Sequence, residues 1–511
     1  MHSGRKTFLL TTCFGALLVV CCIVYYNEAL FLLPRGLHDW AQADRLSLAM
    51  NFYDNGMNFF KPATHNLAST DGITGVEFPI QSYLAAAFAK IFGREHISLL
   101  FKLLNISISL TGLIFLFLAG YRETKDFVLS MATPVFMFCS PVYVYYTASY
   151  LPDAAACSIA FIAFYFLLRY IDHSARRDML SAIALLTLAS LVKTSVALYL
   201  VALVGYVFLQ RILRRGHFSL RDNVLFAGAS AAAGLVLASY AVYNTHLNET
   251  YNSTLFLAKA TPFRSLDEVF YFFNANFKYL WMKEYFLLAQ YPLLLAVLLT
   301  AVPMMLKDMA GKKRLLVFMI FFVGVLSVAF LMGSQLQMHD YYVVSILLPA
   351  MAFGLLISLT TIHRQILMPQ ALRQLRVFVL ACLVILFFFA DHHMYQRFKP
   401  DYEPFKAGVS WAEGGNKVLE GLGISRSEKL MVVREDAPNI VLVYFDRRGY
   451  VSLPTKWYTM DSLSAVMRRQ DLRIAVLKGE TGRYIIDHDP AFHAHFSVLT
   501  LNDKMAIFKR K

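Results

Sequence analysis

Pro79-Ile80-Gln81-Ser82-Tyr83-Leu84-Ala85-Ala86-Ala87-Phe88-Ala89-Lys90-Ile91-Phe92 is apolar enough to pass for a membrane span, and the sidedness of every later segment depends on how it is read. At about 14 residues it reaches only roughly 21 Å as a helix, against a hydrocarbon core of roughly 30 Å. We read it as an interfacial helix on the outer surface. The groups Arg122/Lys125, Arg176/Arg177, Arg211/Arg214/Arg215, Lys307/Lys312/Lys313/Arg314 and Arg364/Arg373/Arg376 then all fall on the cytoplasmic side. Counting the segment as a span would send all of them outside, against the positive-inside rule.

Working outward from that segment, hydrophobic residues make up 58% of the 511, in separate long runs that no single soluble core could hide. The first run, Phe8 to Leu33, follows Arg5 and Lys6. It is too long for a signal h-region and lacks a small-residue cleavage site, so it reads as a retained anchor with its N-terminus inside. Further spans are expected at Ser98–Ala119, Phe127–Tyr146, Asp153–Tyr170, Leu180–Val192, Ser195–Leu213 and Val224–Tyr243. Four more follow at Phe286–Leu306, Leu315–Met332, Tyr342–Thr360 and Val377–Ala390. The expected fold class is a polytopic α-helical membrane protein of about 11 transmembrane helices.

Three segments are left outside. The loop 34–97 is rich in His, Asp, Asn and aromatics, and the loop 244–284 carries Phe263, Tyr271, Phe277, Tyr279 and Trp281, suited to amphipathic pieces at the interface. From Asp391 the composition turns polar, marking residues 391–511 as a C-terminal extracytoplasmic domain after a transmembrane domain, 1–390. In the tail Lys429–Val433, Ile440–Phe445, Leu472–Leu477, His495–Leu499 and Met505–Lys509 read as strands, and Ser462–Arg469 as a helix. That is a small α/β or α+β domain with no phosphate loop and no nucleophile elbow. The net charge of +14 is spread over cytoplasmic turns, which fits topology and anionic lipid and gives no nucleic-acid groove. All six cysteines fall in expected spans, where they act as small hydrophobes, and no Cys/His spacing suggests a metal.

The external chemistry begins at His38-Asp39-Trp40-Ala41-Gln42-Ala43-Asp44-Arg45, where a carboxylate just after a span can serve as a base. Asp39 and Asp44 compete for that role, and a solvated Asp44–Arg45 pair is the simpler alternative. In Gly75-Val76-Glu77-Phe78-Pro79, Pro79 suits a helix N1 position, and Glu77 either serves the helix terminus or holds a substrate hydroxyl or a nearby cation. Asp153, after Tyr150-Leu151-Pro152, could simply cap its span or face the cavity as a second carboxylate. Lys193 interrupts two apolar runs at an external turn, against the basic-inside trend, and so suggests anion binding, although a snorkelling lysine is possible. Gln335-Leu336-Gln337-Met338-His339-Asp340-Tyr341-Tyr342 precedes a span. Aromatic-belt anchoring accounts for Tyr341 and Tyr342 but not for the polar cluster beside them, which suits a sugar-phosphate site.

An N-terminal anchor, an acidic first loop closing on Glu77-Phe78-Pro79, Asp153 at a later external turn, Lys193 after a small-residue span and a Tyr-rich turn before Leu348-Pro349 occur in this order. In these features residues 8–390 resemble the polytopic GT-C class of glycosyltransferases. The likeness is to the branch of protein O-mannosyltransferases and lipid A aminoarabinose transferases, glycosyltransferase family 39-like. Where that family carries Asp-Glu in the first loop, this chain has His38-Asp39-Trp40 and Asp44, and Phe78 replaces the lysine of a Glu-Lys-Pro pattern. The resemblance implies a first loop roofing a cavity for a polyprenyl-phosphate sugar, which is a donor substrate rather than a cofactor. It further implies inverting transfer to a hydroxyl or phosphate on a glycan, lipid or protein, in a bacterial inner membrane with the tail in the periplasm or outside. On that reading Asp39, Asp44 and Asp153 supply the carboxylates, with Glu77 supporting the site. Lys193 binds the donor phosphate, aided by Arg45, His339, Tyr341 and Tyr342, and His38 belongs to the substrate-binding set. A transporter or flippase of a lipid-linked or small polar substrate is the alternative, and would show inverted repeats and broken helices near mid-membrane; a noncatalytic scaffold is a third.

Overall fold

The structure, a computed structural model, describes residues 2–213, 219–256, 260–275, 278, 285–333, 335–366, 368–398, 408–453 and 458–511. Arg214, Arg215, Phe277, Tyr279 and Trp281 lie outside the described residues. Among the described residues seven helices are long and apolar enough to cross a membrane: Gly4–Tyr26, Arg94–Thr124, Asp153–His173, Thr194–Ile212, Leu220–Tyr251, Met309–Met332 and Pro369–Arg397. Phe127–Phe138 and Pro141–Thr147 add an eighth if a pair bent by 78° is one span. The chain is thus a polytopic α-helical membrane protein with a sheet-containing C-terminal region. The first helix ends at Tyr26, ahead of the expected Leu33, and a 3-10 turn at Ala29–Phe31 follows.

By internal packing the chain divides into two compact units. Unit 1 comprises Met1–Leu30, Lys102–Ala241 and Ala258–Tyr395, and unit 2 comprises Phe31–Phe101, Val242–Leu257 and Gln396–Lys511. In unit 1 the basic helix ends that the sequence places together do meet. Arg314 bonds Glu123 at 3.0 Å and Asp172 at 2.8 Å, Arg122 pairs with the same two carboxylates, and Arg364 pairs with Glu123. Arg376 pairs with Asp126, whose side chain also caps the helix Phe127–Phe138. These ends therefore lie on one side of the unit.

Two breaks in unit 1 follow from proline. Ser140, extended at ψ 120, precedes Pro141, whose ring disfavours a helical residue before it, so the span bends there. The second break separates Tyr341–Ile346 from Leu348–Gln365, next to Pro349. There the Tyr199 hydroxyl accepts from Ala350 N–H at 2.9 Å and donates to Ile346 C=O at 2.5 Å, occupying the place of the direct i→i−4 bond.

Unit 2 carries the mixed sheet of β1 (Leu430–Val432), β2 (Gly449–Val451), β3 (Ile474–Lys478), β4 (Phe496–Leu501) and β5 (Met505–Arg510), ordered β2-β1-β3-β5-β4. β2, β1 and β3 run parallel, and β5 and β4 continue antiparallel. Met460–Arg469 is the crossover between β2 and β3, packing Leu463 and Met467 on Met431, Leu477 and Phe508. Ile440–Phe445, expected as a strand, is a helix whose six residues are all buried. A short run that is apolar on every side has no period to separate a buried strand from a buried helix, and the parallel β1–β2 pairing requires a crossover between them.

The first loop is built into this unit. Its helix Asp39–Asp54 packs on the helix Ile80–Phe92 through Leu48, Phe52, Val76 and Ala86. Ile80–Phe92 turns Ser82, Ala85, Ala86 and Ala89 inward and leaves Phe88, Ile91 and Phe92 exposed, and its 13 residues make it a short apolar helix. Residues 65–67 extend the sheet: Gly449 N–H donates to His65 C=O at 3.0 Å, and Leu67 N–H to Gly449 C=O at 2.7 Å. Arg94 bridges Asp54 and Asp446 at 2.7 and 2.9 Å. A Cβ at Gly449 would sit 2.0 Å from the Leu430 carbonyl oxygen. Gly449→Val should therefore cost about 2–4 kcal/mol. Faster proteolysis of both the tail and the 65–72 segment would register it; unchanged melting and cleavage would show that the strand addition carries no stability.

Candidate functional site

The sequence-derived residues fall into two clusters, one in each unit. In unit 1 the break at Lys193 separates the helix Arg176–Val192 from Thr194–Val196, and Lys193 itself is extended. Its Nζ lies 3.5 Å from Asp153 Oδ1, with the lysine side chain 6% exposed and the aspartate fully buried. Asp153 is the first residue of its helix, where the helix terminus favours a carboxylate. Its Oδ1 accepts from Ser345 Oγ at 3.1 Å, and Ser345 in turn meets Ser195 Oγ at 2.8 Å. Lys193 Nζ also lies over the rings of Tyr342, 4.6 Å from the centroid, and Tyr341, 5.2 Å. His339 stacks on Tyr341 at 5.2 Å, and Tyr146, delivered by the second half of the bent span, donates its hydroxyl to the buried Asp340 carboxylate. The unit therefore gathers Asp153, Lys193, His339, Tyr341 and Tyr342, and adds Tyr146, Ser195, Ser345 and Asp340. A tyrosine or serine in an apolar run is not distinguishable from core in sequence, although Asp340 sits within the His-Asp-Tyr-Tyr stretch already singled out.

Lys102, within an expected span, is a buried lysine that sequence reading passed over. Its Nζ donates to Ala29 C=O at 2.6 Å and lies 5.1 Å from the Tyr150 ring centroid.

In unit 2, His38 takes a left-handed conformation at φ 53 and starts the helix Asp39–Asp54, with its ring edge-on to Trp40 at 6.5 Å. Asp39 is partly exposed, and its carboxylate accepts from Trp40 N–H at 2.8 Å. Burial raises its pKa to about 6 from the ordinary 3.8, with the Glu435 carboxylate adding to the rise. Asp44 is buried and accepts from Asn439 Nδ2 at 2.8 Å, and burial pushes its pKa up to about 7. Arg45 turns instead to Glu77 at 2.7 Å and lies 5.1 Å from the Phe256 ring centroid. The cation that Glu77 holds is thus Arg45; Pro79 stands just before the first residue of Ile80–Phe92.

Around Asn439 runs a buried polar chain with no counterpart in the sequence reading. Asn439 Oδ1 accepts from Asn66 N–H at 2.9 Å. His65 Nδ1 accepts from Asn51 Nδ2 at 3.0 Å and lies 2.8 Å from Ser47 Oγ, while Ser47 Oγ takes the His65 N–H at 2.7 Å. Burial lowers the His65 pKa to about 3, so the ring is neutral at pH 7 and Nδ1 acts as an acceptor.

Two outcomes follow from these buried charges. Lys193→Met or Asp153→Asn alone strands one buried charge, which costs about 3–5 kcal/mol, so the double variant should be more stable than either single one. Additive losses in the unfolding of detergent-purified protein would show that the two charges do not interact. Asp44 has a raised folded pKa, so the folded state binds the extra proton between pH 4 and 7. Relative to Asp44→Asn, the wild type should therefore gain stability as pH falls from about 7 towards 4. A melting difference independent of pH across that window would overturn this.

Residues 77–243 match a family model described as dolichyl-phosphate-mannose-protein mannosyltransferase. A search of curated proteins gave no match. Among solved structures, ArnT from Cupriavidus metallidurans in the apo state aligns at 13% identity and a TM-score of 0.61, with 98% of each chain covered. The same protein bound to undecaprenyl phosphate aligns at 13% identity and a TM-score of 0.59, again with 98% of each chain covered. The Archaeoglobus fulgidus oligosaccharyltransferase aligns at 12% identity and a TM-score of 0.53, over 91% of this chain and 68% of that one. At such identities the likeness is one of fold, and the fold is that of the GT-C-like membrane glycosyltransferases that the sequence resembles.

Proposed function

We propose that this protein transfers a sugar from a polyprenyl-phosphate-linked donor to a hydroxyl or phosphate acceptor on a glycan, lipid or protein, with inversion at the anomeric carbon. The reading is carried by the correspondence of fold over 98% of this chain and 98% of ArnT. We assign about 11 crossings, adding Arg176–Val192, Gln290–Met305 and Leu348–Gln365 to the long helices and the bent pair. An inside N-terminus and an odd count put the 391–511 domain, and the transfer chemistry, on the extracytoplasmic side of a bacterial inner membrane.

In the reaction the acceptor oxygen bonds to the anomeric carbon as its bond to the donor phosphate breaks. The electron pair leaves on the phosphate, and the acceptor hydroxyl gives its proton to a carboxylate. We assign the phosphate to Lys193, with Asp153 holding the ammonium in place and Tyr341, Tyr342 and His339 flanking it. Of the two first-loop aspartates, we assign the base to Asp39. It is partly exposed, with Oδ1 accepting from Trp40 N–H, whereas Asp44 is closed in behind Asn439 and acts as a strut. Arg45 and Glu77 support the loop as an ion pair, and His38 sets the start of the helix that carries Asp39.

Purified protein supplied with a polyprenyl-phosphate sugar and an acceptor tests this reading, with the anomeric configuration of the product read by NMR. We expect inversion, and turnover that rises with pH through about 6 as Asp39 ionises. Asp39→Asn should lose roughly 10²–10⁴-fold in turnover with unchanged melting. A retained configuration sinks the single displacement, full activity in Asp39→Asn sinks the base assignment, and lipid movement across vesicles with no glycosidic bond formed makes the protein a flippase.

A further inference from the structure

Unit 2 contains a cleft of about 630 Å³ that shares no residue with the Asp39, Asp44 or Arg45 cluster. One wall is the first-loop turn 67–71, and the other comes from the tail through Arg426, Lys429, Arg448 and Tyr450. Against these three cations the lining offers one carboxylate, Asp71; Arg426 is held by Asp54 at 3.2 Å and Asp446 at 3.0 Å, so Lys429 and Arg448 carry the cationic character. Arg448 donates through Nη2 to the Asp71 carbonyl, which leaves its buried Nε with no hydrogen-bond partner among the described residues. Ser69 is 3% exposed, and its Oγ likewise has no partner there. A guanidinium N–H and a hydroxyl buried without a partner, in two residues that line this cleft, each lose a hydrogen bond's worth of stability unless a ligand or water supplies it.

The remaining lining is mixed, with Leu67 and Ala68 apolar. Thr70, Ser427 and Gln470 are hydrogen-bonding groups, and the Tyr450 ring offers a flat apolar face. Guanidinium and ammonium groups recognise oxyanions, hydroxyls and amides recognise sugar hydroxyls, and an aromatic face receives the C–H side of a pyranose. We infer that this cleft binds a saccharide bearing an anionic group, a phosphate or a uronic carboxylate. It rests on the proposed transfer only in naming that saccharide as part of the acceptor; binding to the cleft is a separate property.

Saturation-transfer NMR on the full chain in detergent, with no donor present, tests the assignment using glucose 1-phosphate, glucuronate and glucose as probes. Lys429 is exposed, so Lys429→Glu should leave the fold intact, while Arg448→Gln keeps a donor for the Asp71 carbonyl. Both should weaken anion binding at least tenfold, with binding that also fades as salt rises, and the more stable Lys193→Met/Asp153→Asn double variant should still bind the anions at the cleft. Loss confined to glucose 1-phosphate identifies phosphate as the ligand group, and loss confined to glucuronate identifies carboxylate. Glucose bound as tightly as the anions, undiminished binding in both cleft variants, or binding abolished in a folded Lys193→Met/Asp153→Asn double variant overturns the cleft. Intact binding in a protein that transfers no sugar removes only the acceptor role, whereas transfer without cleft binding removes only the cleft.

Discussion

A lysine ammonium and an aspartate carboxylate buried together inside a bundle of apolar helices set the terms for the rest of unit 1. An isolated charge there costs several kcal/mol, and a pair is tolerable only when its remaining donors and acceptors are met. Asp153 meets this with a helix N-terminus and the Ser345 hydroxyl, and Lys193 with the faces of Tyr341 and Tyr342. Those partners exist only because the helix before Leu348 is broken. Tyr199 keeps that break satisfied by standing between Ala350 N–H and Ile346 C=O. The bent span at Ser140-Pro141 similarly brings Tyr146 to Asp340. Proline thus acts here through the side chains that a broken helix can present.

Unit 2 solves a different problem. A loop rich in His, Asp and Asn has too little apolar surface to fold by itself, and it is ordered by joining the tail's sheet and hydrogen bonds. Gly449 admits residues 65–67 beside β2, Asn439 links Asp44 to Asn66, and Arg94 ties Asp54 to Asp446. The carboxylate of Asp44 is consequently positioned by a residue almost 400 positions away in the chain (Asn439 bonds it across a separation of 395). Burying Asp44 raises its pKa, so the contact that anchors the loop also makes it sensitive to pH.

The long apolar helices, the basic helix ends and the short helix Ile80–Phe92 were legible in the sequence because hydrophobic length and the position of Lys and Arg are local properties. Lys193 and Asp153 stood out for the same reason: each is a charge beside an apolar run, and such a residue needs an explanation wherever it lies. Four of the tail's strands could be read from their apolar runs, whereas Ile440–Phe445 could not, because full burial erases the period that distinguishes strand from helix.

Tertiary structure alone decided which partners those residues take. Arg45 could have paired with Asp44 next to it, and the fold gives it Glu77 and hands Asp44 to Asn439. His65, Ser47, Asn439 and Tyr199 carry no signal in the chain, since an isolated polar residue acquires its role from groups that folding brings within about 3 Å. The sequence by itself determined where the chain is apolar and which charges are out of place. Hydrogen bonds and ion pairs between residues distant in the chain depend on geometry, so only the tertiary structure decided which charge answers which.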